Sequence, residues 1–168
     1  MHNKIGNIWS LRKDGDIVVI TTNGCVKSPG ECVMGRGIAK QAAKLYPWLP
    51  ATLGTLITEH GNRAFNLGCG LASMPVKPSQ ATFSGNNAVS HMSRRFKPGE
   101  QIPGWACVAQ LSIIERSAKQ LVEMADKFGW KRILMPRPGC GAGELRWEDV
   151  EPVLDRILDE RFVVCTYS

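Results

Sequence analysis

The chain has 168 residues, 43% of them hydrophobic and 21% charged, the composition of a single globular α/β domain spanning residues 1–168 and able to bury a real core. No apolar run reaches the length of a membrane span, and Met1-His2-Asn3-Lys4-Ile5 lacks the hydrophobic centre of a signal peptide, so a cytoplasmic protein with no membrane partner is expected. The net charge of +6 favours an anionic ligand or a nucleic acid, while six cysteines without a Cys-x-x-Cys pair or a histidine at zinc spacing read as free thiols, not as a metal site or a disulfide framework.

A short apolar piece, Ile5 to Trp9, comes first. The β-branched run Asp16-Ile17-Val18-Val19-Ile20-Thr21-Thr22 is too continuous for a half-exposed strand and predicts a buried one. Asn23-Gly24 opens a polar loop through Lys27-Ser28-Pro29-Gly30, and after the turn Val33-Met34-Gly35-Arg36-Gly37-Ile38 the stretch Ile38 to Leu45 is rich in helix formers, with Pro47 placed to stop them. Leu71 to Val76 predicts another strand. Ser79 to Gly104, rich in Ser, Asn, Gly and Pro, predicts mostly irregular structure. Its Arg94-Arg95-Phe96-Lys97 is the only tight basic cluster, which a solvated loop explains as well as a nucleic-acid contact does.

Leu111, Ile114, Ala118, Leu121, Val122, Ala125 and Phe128 recur at three- and four-residue spacings, which predicts an amphipathic helix over Gln110 to Phe128 ended by Gly129. Lys131 to Met135 predicts a short strand, followed by a second glycine turn, Pro138-Gly139-Cys140-Gly141-Ala142-Gly143-Glu144. Val150, Val153, Leu154, Ile157 and Leu158 then mark a last helix, with Asp149 as its expected cap and Pro152 in its first turn. Phe162 to Cys165 closes the chain as a strand. Strands alternating with helices imply a sheet covered on both faces, with ligands bound beyond the carboxyl ends of its strands.

Both glycine turns follow a strand-like run and lead toward a helix. Glycine has no Cβ, so backbone N–H groups can approach a ligand closely, and a helix N-terminus behind the turn adds unpaired donors. One such turn alone is an ordinary strand-to-helix connection; two together point to a diphosphate gripped from both sides.

The residues that build these turns also carry a family resemblance. Val19-Ile20-Thr21-Thr22-Asn23-Gly24, Gly30 through Ala39, Met74-Pro75-Val76-Lys77, and Met135-Pro136-Arg137-Pro138-Gly139-Cys140-Gly141 followed by Trp147-Glu148-Asp149-Val150 resemble the macrodomain pattern over nearly the whole chain. The likeness is to compact bacterial and phage macrodomains, in the branch that holds terminal-ADP-ribose glycohydrolases and DNA-ADP-ribosyl glycohydrolase antitoxins. It implies a three-layer α/β/α fold with a mixed central sheet and a cleft for ADP-ribose or an ADP-ribosylated macromolecule, a nucleic acid among the candidates; a monomer with neither metal nor cofactor is expected.

Residue by residue, the resemblance implies that Asn7, with Ile8 beside it, stands where the family has an acid reading the adenine amino group. A plain turn residue is an equal reading of Asn7. Asn23 matches the distal-ribose residue, with Asn-Gly turn chemistry as its competitor. The diphosphate would lie against Met34, Gly35, Arg36, Gly37 and Ile38 on one side and Pro138, Gly139, Cys140, Gly141, Ala142 and Gly143 on the other. Cys140 has no neighbouring histidine and reads as a small filler, not a nucleophile. Lys77 matches the glycohydrolase lysine, able to attack the distal sugar or to move a proton once burial lowers its pKa.

Two departures bear on activity. The acid that one branch carries shortly after Gly-Cys-Gly is here Gly143 and then Glu144, so a catalytic carboxylate is displaced to Glu144 or absent. Pro78-Ser79-Gln80 and a long polar insertion follow Lys77, with His91 as a proton carrier or a plain solvated histidine. The expected activity is removal of ADP-ribose from a modified macromolecule. The alternatives are hydrolysis of ADP-ribose 1''-phosphate, non-catalytic binding of ADP-ribose or related NAD-derived nucleotides, and nucleic-acid binding driven by charge alone.

Overall fold

The computed structural model describes residues 1–167. In chain order these form β1 (His2–Ile5), α1 (Ile8–Leu11), β2 (Ile17–Thr22), β3 (Val26–Lys27), β4 (Glu31–Cys32), α2 (Gly37–Leu45), α3 (Leu49–His60), β5 (Phe65–Gly68), β6 (Leu71–Pro75), β7 (Gln80–Thr82), β8 (Gln101–Pro103), α4 (Leu111–Phe128), β9 (Ile133–Met135), α5 (Trp147–Asp155) and β10 (Phe162–Thr166). The central sheet has six strands in the order β1-β10-β9-β2-β6-β5. It is mixed, because β5 pairs antiparallel with β6 while the other pairs are parallel.

Alternation along β2 sets the layers. Ile17 and Val19 pack with α4 and α5 through Ile114, Leu121, Val150 and Leu154, whereas Val18 and Ile20 pack with α1, α2 and α3 through Ile8, Ala42, Leu49 and Leu53. Successive side chains of a strand point to opposite faces, so one apolar run serves two cores, and Ile17 through Ile20 are all buried. The three-layer α/β/α arrangement is therefore present. At the amino ends of the strands, buried Asp16 pairs with Arg132, and Ile17 N–H donates to the Arg132 carbonyl. The opposite, carboxyl ends of β2, β6 and β9 are left for the two glycine turns and Lys77.

Several expectations are corrected. The last helix begins at Trp147 with Arg146 at its N-cap, so Asp149 lies inside the first turn and does not cap it. Pro152 is correspondingly an interior residue, its missing N–H falling opposite the Glu148 carbonyl in a nine-residue helix. Glu148 and Asp149 instead complement the positive end of the helix. The region from Ser79 to Gly104 is mostly irregular but contains the β7/β8 hairpin, which pairs Gln80 with Pro103 and Thr82 with Gln101. Its Phe83, Ala88 and Ile102 form a small separate core with Cys107. Helix α3 was not legible, because Pro50, Gly54 and three threonines give it weak helix propensity. Gly54 is needed there: a Cβ would stand 1.9 Å from the Gly30 carbonyl oxygen.

Candidate active site

A cavity of about 370 Å³ opens over the carboxyl ends of β9, β2 and β6, within the range of small-ligand sites. Of the residues expected to form it, Asn23, Gly35, Arg36, Gly37, Ile38, Lys77, Gly139, Gly141, Ala142 and Gly143 line it. Strand β2 adds Thr21 and Thr22, the residues just after β6 and β9 add Val76, Pro136 and Arg137, the insertion adds Val89 and His91, and Trp105 follows it. A shallower opening beside it is lined by Lys40 and Glu144 together with both glycine turns.

Two kinds of glycine meet here. A Cβ at Gly139, whose φ is +75°, would stand 2.8 Å from Ile114 Cδ1, and one at Gly143 would stand 2.6 Å from the Gly139 carbonyl oxygen. Packing demands those glycines. Gly35 and Gly141 have open space where a Cβ would go and no left-handed φ, so neither fold nor backbone requires them. Their lack of a side chain keeps the cavity floor open to a ligand. In α2, which has no side-chain cap, the N–H groups of Gly37, Ile38 and Ala39 donate to nothing among the described residues. Those of Gly141, Ala142 and Gly143 are equally unbonded. Two sets of three donors thus border one space, and the N-terminus of α2 adds a favourable field for an anion.

Lys77 closes the β6 side. It is 7% exposed, and its Nζ donates to the Trp105 carbonyl at 3.1 Å. Burial pulls its pKa below the usual lysine value, with Arg36 adding to that effect and Cys107 and Glu144 opposing it. A larger share of neutral amine at neutral pH is what a lysine nucleophile needs.

Glu144 adopts a left-handed backbone with φ +63° and is exposed. Its two carboxylate oxygens accept from the Ser90 N–H at 2.9 Å and the Ser90 hydroxyl at 3.0 Å. On the other lip, Arg36 Nη2 donates to His91 Nε2 at 3.0 Å. Adjacent residues of the insertion are therefore fastened to both glycine turns, making a strap across the mouth of the cavity. His91 stands out in the sequence as a lone histidine of the insertion; Ser90, one of several serines in a polar loop, carries no such signal.

Besides Glu144, which borders only the shallower opening, five expected ligand-binding residues stand outside the lining. Asn7 caps α1, its Oδ1 accepting from the N–H groups of Trp9 at 2.9 Å and Ser10 at 3.3 Å, so its carbonyl is already used twice. Ile8 and Met34 are buried in the core with Ala39 and Ala42 of α2, and Pro138 is buried at the start of the second turn. Cys140 is half-buried, its Sγ lies 3.5 Å from the Pro138 carbonyl, and burial pushes its pKa up to about 11, which suits a filler and not a thiolate. Asn23 is at the cavity but is also held by turn chemistry, its Oδ1 accepting from Cys25 N–H at 2.8 Å and its Nδ2 donating to the Val33 carbonyl at 3.1 Å. Among the described residues no three His, Cys, Asp or Glu side chains are placed to hold a metal ion, and no helix is long and apolar enough to cross a membrane.

No protein-family model matches the chain, and no curated protein matches it. Solved structures do. The macrodomain of Mycobacterium tuberculosis DarG shares 21% identity at a TM-score of 0.67, covering 99% of this chain and 98% of that one. Thermosipho africanus DarTG in complex with ADP-ribose shares 17% at a TM-score of 0.68, covering 99% of this chain and 42% of that one. The macrodomain of Thermus aquaticus DarG shares 18% at a TM-score of 0.67, covering 99% and 97%. At these identities the likeness is one of fold, and this chain has the macrodomain fold.

Proposed function

We propose that the cavity binds ADP-ribose and that the protein removes ADP-ribose from a modified macromolecule. The observation that carries the reading is the pair of three-donor backbone sets flanking one space, floored by glycines that the fold does not need. A diphosphate is the ligand group that uses both sets at once, and directed N–H bonds to a charged oxygen are worth more than neutral ones. The ADP-ribose present in the Thermosipho structure supports the same ligand class.

With the diphosphate between the turns, the distal ribose falls on the Lys77 side of β2. Neutral Lys77 amine attacks the anomeric carbon as the acceptor leaves with the bonding pair and takes up a proton. Water then cleaves the carbon–nitrogen bond, returning the amine and releasing ADP-ribose. Glu144 is engaged by Ser90 and takes part in proton transfer only when the strap opens. Lys77→Ala should retain ADP-ribose binding and lose turnover, and borohydride reduction during turnover should add the mass of ADP-ribose to the wild-type protein only. Turnover by Lys77→Ala would remove Lys77 from the chemistry.

The engaged state of Glu144 favours one second reading, a non-catalytic binder of ADP-ribose or related nucleotides. Binding without turnover of any ADP-ribosylated acceptor or of ADP-ribose 1''-phosphate would support it. For the acceptor we propose a nucleic acid and for the working state a monomer. Exposed Trp105 beside Lys77 offers a stacking face, and exposed Arg94, Arg95 and Lys97 on the insertion offer phosphate contacts. Association with single-stranded oligonucleotides that weakens steeply with salt would support that acceptor.

A further inference from the structure

We infer that Arg137, laid against Trp147, is the platform on which the nucleobase of the ligand stacks, and that base selectivity is low as a result. The inference rests on the cavity being an ADP-ribose site. Arg137 follows β9 and Lys77 follows β6, with β2 between them, so the two residues mark opposite sides of the cavity, about 10 Å apart at the spacing of neighbouring strands. If the distal ribose lies with Lys77, the nucleoside lies with Arg137.

The guanidinium is built as a surface without a partner. Its carbon sits 4.9 Å from the centroid of the Trp147 ring, which fixes one face. It makes no hydrogen bond or ion pair among the described residues, and its Nε is fully buried with no acceptor. An arginine held in this way forgoes the pairings that usually justify burying it. A planar, electron-rich ring laid on its cavity side would complete a stack of indole, guanidinium and base. The aromatic rings in the cavity lining, Trp105 and His91, come from the segment after β8 and from the strap, so Arg137 is the flat group of the lining that follows β9.

Low selectivity follows from what is missing at the edge of the base. The Asn7 carbonyl is consumed by two backbone N–H groups, so it cannot also take the adenine amino hydrogen. A stack accepts any base because every base has a π-face.

The test is titration of the wild-type chain, Arg137→Leu and Arg137→Lys with ADP-ribose and with GDP-ribose, alongside thermal melts of each protein. Wild-type affinities for the two ligands should agree within about threefold. Both substitutions should weaken both ligands by about tenfold or more without lowering the melting temperature, since base stacking is of that size and lysine keeps the charge but not the plane. Full affinity in Arg137→Lys would reduce Arg137 to a charge and overturn the stack; full affinity in Arg137→Leu would remove it from the site. A wild-type preference for ADP-ribose of twentyfold or more would overturn the low selectivity. Wild-type protein that binds neither ligand would overturn the ADP-ribose reading itself, an outcome distinct from the others.

Discussion

A lysine ammonium left 7% exposed, with one carbonyl for a partner, is held against its own hydration. Because folding lowers the Lys77 pKa, chiefly by burial, the unfolded chain binds that proton more tightly than the native one. The penalty is therefore complete below the lowered value and is relieved as pH rises from there to about 10.4. Lys77→Met should melt higher than the wild type at pH 7, by on the order of 1 kcal/mol, and the gap should close toward pH 10. A variant less stable than the wild type at every pH would mean that burial costs this lysine nothing. Asn7 calls for the opposite outcome: as an N-cap with two acceptor bonds, its replacement by alanine should cost about 1 kcal/mol of stability and leave ADP-ribose affinity unchanged. Calorimetric affinity that falls in Asn7→Ala would return Asn7 to the binding site.

At the scale of elements, the glycine turns and the strap divide the labour. Gly139→Ala and Gly143→Ala should destabilise by roughly 1–3 kcal/mol through overpacking and backbone strain, measured by denaturant unfolding. Gly141→Glu, with open space ahead of it, should unfold like the wild type while placing a carboxylate where the diphosphate belongs. Glu144→Ala removes both hydrogen bonds that tie Ser90 to the second glycine turn and should raise hydrogen exchange across residues 84–96 while the β2 amides stay protected. Unchanged exchange there would mean that the insertion is held by its own small core.

What was legible in the chain tracks what is periodic or punctuated. The run from Ile17 to Thr22, the α4 stripe with Gly129 in a left-handed C-cap, and both glycine turns announce themselves through spacing and through residues with unusual backbone freedom. Helix α3 did not, because its place is dictated by contact with the β3–β4 hairpin and not by its own propensity. Most of the glycine half of the site was therefore readable. The strap was not, since a Ser90–Glu144 contact spans fifty-four positions and joins two residue types that look merely polar. Nor was Arg137, whose character comes from the Trp147 ring beneath it.

Across the whole molecule, a mixed sheet with two cores brings the carboxyl ends of β9, β2 and β6 together and leaves one cavity bordered by unpaired backbone donors. The reading stands on those donors holding a diphosphate. If each N–H bond to the ligand contributes about 1 kcal/mol net, the two sets together with the stacked nucleoside give a roughly micromolar dissociation constant. The most direct measurement is calorimetric titration of the wild type with ADP-ribose, with AMP as the ligand lacking the distal half and Gly141→Glu as the blocked protein. Saturable heat near micromolar ADP-ribose, much weaker heat with AMP, and none in a folded Gly141→Glu variant is the predicted result. No heat from the wild type at millimolar ADP-ribose, or equal heat from Gly141→Glu, would contradict it.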